Sequence, residues 1–218
     1  MPWIIKINAI TNFAAFLIGI VLYRNFSKEI KLVFYFVTLG SITEISARLF
    51  MHYITKNAMP IGHVYFPLSV LVVGLFYMQI LKGFIKPVYV LSLVILFEIY
   101  TIVNTVFIQS IFEYPSLVGS IGSLLIFMMA VIYFIKVMVE AKITNLIKEP
   151  LIWINTGFLI YYTGNFFYHI LYNIGIMTSR EVALIAGKFF SINNLLFYFL
   201  ISIAFLMFHN QLKKKQIE

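Results

Sequence analysis

Seven apolar segments, each close to the length of one bilayer crossing, follow one another along the chain with only short polar connections between them. They lie at about 4–23, 32–53, 64–81, 88–107, 117–137, 151–174 and 183–208, against the roughly 20 helical residues needed to cross about 30 Å of hydrocarbon. Hydrocarbon offers no partner to an open strand edge, so continuous apolar runs of this length cross as helices and not as a barrel. The solvent follows from composition as well. With 62% hydrophobic and 11% charged residues, the polar side chains are too few to cover a water-soluble globule. The expectation is an all-α, polytopic integral membrane protein: one domain over residues 1–218, folded as a seven-transmembrane-helix bundle.

The connections set the orientation. Arg24 to Lys31, Lys82-Gly83 with Lys86-Pro87, and Lys148-Glu149-Pro150 are compact polar turns. Asn57 to Gly62, Glu113 to Ser116 and Thr178 to Glu181 are the others, and none has room for a second domain. Positively charged loops stay on the cytoplasmic side. With the N-terminus outside, the inner side collects Arg24, Lys28, Lys31, Lys82, Lys86, Lys136, Lys142, Lys148 and Lys213 to Lys215, eleven cations, against Lys6, Lys56 and Arg180, three, outside. The sequence therefore predicts an outer N-terminus and a cytoplasmic C-terminus. The net charge of +8 belongs to this asymmetry and to anionic lipid, not to nucleic acid. Lys213-Lys214-Lys215 reads as a helix-end anchor.

Cysteine and aspartate are both absent, which removes disulfides and thiolate metal sites. The segment Ile4 to Tyr23 is long for a signal-peptide core and lacks a small-residue cleavage site, so it is expected to be a retained helix. No internal repeat stands out.

Polar residues inside the apolar segments carry what functional information there is, because ionisable groups in hydrocarbon normally face the bundle interior or a wet cavity. In the second segment Thr38, Ser41, Glu44, Arg48 and His52 recur in steps of three and four, forming one stripe. Glu98, Thr101, Thr105 and Gln109 do so in the fourth; Asn155, Tyr162, Asn165, His169 and Asn173 in the sixth; Lys188, Ser191, Asn194, Tyr198 and Ser202 in the seventh. One polar stripe per helix is the pattern of a bundle around a polar centre. Alternating helix directions then assign depth. Asn8, Thr11 and Asn12, His63, and Ser116, Ser120 and Ser123 begin their segments on the outer side. Glu44, Arg48, His169, Asn173 and Lys188 lie past the midplane on that side, with Glu98, Asn165 and Asn194 near the middle. The inner halves, such as Leu32 to Val37 and Leu124 to Ile135, are dry. The expectation is a polar pocket open to the outside above an apolar floor, with Glu44, Arg48, His63, Glu98, Tyr162, Asn165, His169, Asn173, Lys188, Asn194 and Tyr198 as candidate ligand-binding residues.

Competing structural roles attach to several of these. Gly19, Ser116, Gly119, Ser120 and Ser123 read as helix-packing positions. Glu44 with Arg48 also fits an ion pair that locks the second helix, His169 a satisfied core histidine, and Lys188 a snorkelling side chain. A seven-helix zinc hydrolase would need about three histidines converging with an acidic or serine partner. His52, His63 and His169 lie toward one side, without ligand spacing between them, so no metal, cofactor or catalytic residue is assigned.

Two resemblances follow from short motifs. Glu44-x-x-x-Arg48 and His169-x-x-x-Asn173 resemble elements of the CAAX-type glutamate intramembrane proteases, with Thr43 where that family pairs a second glutamate. Over most of the chain, Gly62-His63-Val64-Tyr65-Phe66-Pro67-Leu68, Asn104 to Gln109 followed by Ser116, Pro150 to Trp153 leading to Gly157 to Phe166, and Asn194 to Phe205 are similar to a group of uncharacterised bacterial seven-helix membrane proteins. Ser69 stands where that group has a glutamate, and Phe190 where it has a histidine. The resemblance implies a bacterial cytoplasmic (inner) membrane location, marks Glu44, His63, Asn165 and Asn194 as pocket residues, and suggests a link to sensor kinase signalling. The leading functional expectation is a sensory or regulatory membrane module. A small molecule or lipid would enter the outer pocket, and the basic inner face would report to a sensor kinase, another membrane partner or a second copy of the chain. A small-solute or ion transporter is the alternative, followed by an intramembrane hydrolase or protease and by a structural subunit.

Overall fold

The computed structural model describes residues 2–143 and 145–217; the side chains of residues 2–6, 9, 173–178, 180 and 214–217 lie outside that description. Seven long helices make up the chain: α1 (Pro2–Leu22), α2 (Lys28–Tyr53), α3 (Met59–Ile80), α4 (Pro87–Val103), α5 (Ser116–Glu140), α6 (Pro150–Thr178) and α7 (Arg180–Ile217). Among the described residues there is no strand. Five helical stretches, Lys28–Tyr53, Met59–Ile80, Pro87–Ile108, Ser116–Glu140 and Glu181–Lys213, are long and apolar enough to cross a membrane. A shorter apolar stretch, Ile10–Asn25, belongs to α1 and the 3₁₀ turn that follows it. α6, whose apolar run contains Asn155, Thr156, Asn165 and His169, is not one of the five.

Local chemistry explains the ends. Prolines sit in the first turns of α3, α4 and α6, where a missing N–H costs nothing and the fixed φ favours the helix. Pro67, in contrast, lies inside α3 and deprives the His63 carbonyl of its helical donor. α4 runs on into a π-helical turn over Asn104–Ile108, so the segment predicted to end near 107 changes its winding for its last five residues. α5 closes on Ala141 in the left-handed region at φ 47°. Lys136 crosses from α5 to the end of α3, donating to the carbonyls of Ile80 at 2.6 Å and Lys82 at 3.1 Å. Its ammonium thus meets the negative end of the α3 dipole.

Six helices close a ring in the order α1, α2, α3, α5, α6, α7 and back to α1, with α6 and α7 the most extensively packed pair. α4 stands outside the ring, packed chiefly on α3. Gly74 permits that contact: a Cβ there would collide with the side chain of Val94. Inside the ring an aromatic layer fills the middle. Phe36, Phe76, Phe158 and Phe197 are fully buried, and Phe36 meets Phe158 and Phe197 edge-on at 5.5 Å each. Next to this layer, Tyr77 donates to Asn155 Oδ1 at 2.8 Å while Asn155 Nδ2 donates to the Ala130 carbonyl at 3.1 Å, tying α3, α6 and α5 together.

Candidate functional site

One end of the ring is open. A cavity of about 480 Å³ lies between the N-terminal parts of α1, α3 and α7 and the C-terminal halves of α2 and α6. This is the end that carries the α2–α3, α4–α5 and α6–α7 connections; Arg24, Lys28, Lys82, Lys86 and Lys148 all lie toward the other end. Tyr161 joins the cavity to the aromatic layer, since its ring both lines the space and packs on Phe197 at 4.6 Å and Phe36 at 6.1 Å.

The α1–α2 wall is a hydrogen-bonded chain. Ser41 donates to Asn12 Oδ1 at 2.8 Å, and Asn12 Nδ2 donates to Glu44 Oε2 at 3.2 Å. Arg48 pairs with Glu44 Oε1 one turn further along. Glu44 therefore holds one oxygen toward a buried amide and the other toward an arginine whose side chain is 56% exposed. Among the described residues Glu44 is the only carboxylate lining the cavity, and no lysine or arginine lines it.

Opposite stand α6 and α7. Asn193, buried, donates through Nδ2 to the Tyr161 carbonyl at 2.8 Å and, at 3.5 Å, to Asn165 Oδ1. Asn165, Asn194, Ser191 and Tyr198 face the cavity. Tyr198 brings its hydroxyl against the bare backbone of Gly40, where a Cβ would lie 2.6 Å from the oxygen.

The third side is the connection between α4 and α5, held down by two histidines. His63 is buried, with Nε2 3.1 Å from the Glu113 carbonyl and Nδ1 3.1 Å from Thr105 Oγ1. A carbonyl only accepts, so Nε2 carries the proton and, in the neutral ring, Nδ1 accepts from the threonine. Tyr114, from the same connection, meets His169 Nδ1 at 2.5 Å and packs against the Tyr172 ring at 4.4 Å. Burial pushes the Tyr114 phenol well above its usual range, so its hydroxyl keeps its proton. His169 itself is 1% exposed, edge-on to Phe66 at 5.1 Å. Its Nε2 has no hydrogen-bond partner among the described residues, and a Cβ on Gly119 would lie 2.7 Å from it.

No family model, curated protein or solved structure matches the chain. Its site must be read from its own geometry.

Of the residues singled out from the sequence, Glu44, Asn165, His169, Asn194 and Tyr198 line this one cavity. Arg48 touches it only through Glu44. His63 lies beside it, engaged by the α4–α5 connection. Tyr162 lines a separate space of about 10 Å³ between α3, α5 and α6, the size of one water, shared with Ser69, Ser123 and Asn165. Glu98 sits on α4, outside the ring, with Oε1 buried and without a partner among the described residues. Lys188 is exposed and does not line the cavity, and the side chain of Asn173 lies outside the described residues. His52 is exposed at the end of α2, so His52, His63 and His169 do not converge; among the described residues no group of three or more His, Asp or Glu could hold a metal ion.

Tyr114, Asn12 and Asn193 were not among the sequence candidates. Tyr114 lies in a connection, where period carries no signal, and Asn193 is one position off the α7 stripe. Asn12 was legible only as a polar start to the first segment.

Proposed function

We propose that this chain is a seven-crossing receptor-like module of a bacterial inner membrane, with its N-terminus outside and its cavity open to the exterior. A small molecule or lipid binds there, and its occupancy is passed to a membrane partner. The observation that carries this reading is the placement of the cavity. It occupies the end of the ring away from the basic turns and is closed below by Phe36, Phe158 and Phe197. Positive-inside orientation turns that end outward. A volume of about 480 Å³ suits a small organic ligand.

α7 supplies the route of transmission. It contributes Ser191, Asn194 and Tyr198 to the cavity and continues without a break to Ile217, a helix of 38 residues and about 57 Å. Near its far end Gln211 donates to the Lys148 carbonyl at 2.5 Å. A ligand that moves α7 at the cavity moves the basic end with it, where a sensor kinase, another membrane protein or a second copy of the chain would be engaged.

The absence of native cysteine makes the test direct, since any introduced thiol is the only one present. Thr43→Cys in the cavity and Lys82→Cys at the other end are labelled with a membrane-impermeant thiol reagent in right-side-out and inverted vesicles. The expected result is labelling of Thr43→Cys only from outside and of Lys82→Cys only from inside. Reaction of Thr43→Cys from both faces would replace the sensor with an alternating-access transporter.

A further inference from the structure

We infer that the cavity is a site for an organic ammonium ion, a primary amine or quaternary ammonium with an apolar body. The inference rests on the binding role proposed above and adds the chemical class of ligand. Its basis is what lines the space and what is missing from it. Seven phenyl or phenol rings, among them Tyr65, Phe66, Tyr114, Tyr161 and Tyr198, contribute to the wall. Against them stands the single carboxylate, Glu44, and no lysine or arginine among the described lining residues. Ring faces carry the negative side of the aromatic quadrupole, and an ammonium beside them gains most when partly desolvated. An anion would meet the Glu44 carboxylate with no lysine or arginine among the described lining residues to balance it. A bare metal ion would find no group of three ligating side chains among the described residues, in a space far larger than it needs.

Glu44 also explains how such a ligand is held and released. Asn12 fixes Oε2 from the buried side, and Asn12 is fixed in turn by Ser41, so the carboxylate is positioned before any ligand arrives. Oε1 is taken by Arg48, which is over half exposed and outside the lining. More than half of the arginine side chain is exposed while Glu44 is largely covered, so the arginine can swing away and is a tethered competitor for the place that an incoming ammonium would take. Removing the arginine therefore favours a cationic ligand, whereas a neutral ligand has no reason to respond.

The experiment uses the full-length protein in detergent, with thermal stabilisation and calorimetry as readouts. Choline and phenethylammonium are the probes, and 3,3-dimethyl-1-butanol and 2-phenylethanol are their uncharged counterparts. The expected result is binding of at least one ammonium probe, with its alcohol at least tenfold weaker. Glu44→Gln, which keeps an amide partner for Asn12, weakens the ammonium at least tenfold, and Arg48→Gln tightens it severalfold. Equal binding of an ammonium and its alcohol, or tightening that fails to appear in Arg48→Gln while that variant melts like the wild type, overturns the inference. So does a lack of binding by both ammonium probes. In that case Thr43→Cys labelling still reports whether the cavity is open, so the failure of the ligand class is separable from the failure of the binding site.

Discussion

Gly119→Ala tests whether His169 is as firmly wedged as its surroundings indicate. A Cβ at position 119 would lie 2.7 Å from Nε2, 2.8 Å from Cε1 and 2.9 Å from Cδ2 of the His169 ring. Ordinary contact begins near 3.5 Å, so the ring must retreat by about 0.8 Å. It cannot do so freely, because Phe66 stands edge-on at 5.1 Å and Tyr114 holds Nδ1. Overpacking of this kind costs about 1–3 kcal/mol, and a weakened Tyr114 bond adds about 1 kcal/mol. Against this stands the gain of about 1 kcal/mol from replacing a helical glycine with alanine. The net expectation is a loss of about 2 kcal/mol. Gly157→Ala is the internal control, since its nearest neighbours would be at 3.6 Å, and it should be neutral or stabilising. Unfolding followed by the fluorescence of Trp3 and Trp153 suits a chain with no thiol for a reactive dye. At about 2–4 °C per kcal/mol, Gly119→Ala should melt roughly 4–8 °C below the wild type. Adding His169→Ala should remove the clash, making the double variant more stable than the two single losses combined. If Gly119→Ala melts with Gly157→Ala, the histidine is not wedged and the α5–α6 contact has been misread.

Two further substitutions probe the scaffold. Asn155→Leu should cost about 2 kcal/mol because it leaves the buried Tyr77 hydroxyl without its acceptor, and Tyr77→Phe in the same chain should recover much of that loss; melting of the two variants beside the wild type checks both statements. Lys136→Met should cost about 0.5–1 kcal/mol by uncapping the carbonyls at the end of α3, with a smaller difference from wild type at high salt, measured as the change in melting temperature between low and high ionic strength.

Much of the fold was legible because the length of an apolar run and the period of its polar residues both have a direct physical meaning. The α2, α6 and α7 stripes bring Glu44, Asn165, His169, Asn194 and Tyr198 to one space. Period alone, however, says which residues share a face and not which helix that face meets. The α4 stripe of Glu98, Thr101 and Thr105 looked like the others, yet α4 packs outside the ring, and Thr105 serves His63 there. Tyr114 was illegible for a different reason. A connection has no period, so nothing marked its ring as the partner of a histidine 55 residues away.

The polar groups of the bundle divide by how fully their hydrogen-bonding capacity is used. Asn155 spends both ends of its amide on Tyr77 and Ala130, and His63 spends both ring nitrogens on Glu113 and Thr105. Such groups have little left to offer a ligand, and their energetic value lies in joining helices across an apolar interior that supplies no competing partner. His169 keeps Nε2 without a partner among the described residues, and Glu44, with Oε2 held by the Asn12 amide, keeps Oε1 engaged only by an exposed arginine among the described residues. Unused capacity is costly in a dry core and tolerable where a cavity admits water or a ligand. His169 and Glu44 both line the 480 Å³ space, whereas Glu98, with Oε1 likewise unpartnered among the described residues, stands on α4 outside the ring. Spare hydrogen-bonding capacity in the cavity wall, more than the number of polar residues in any one helix, sets what a ligand there could engage.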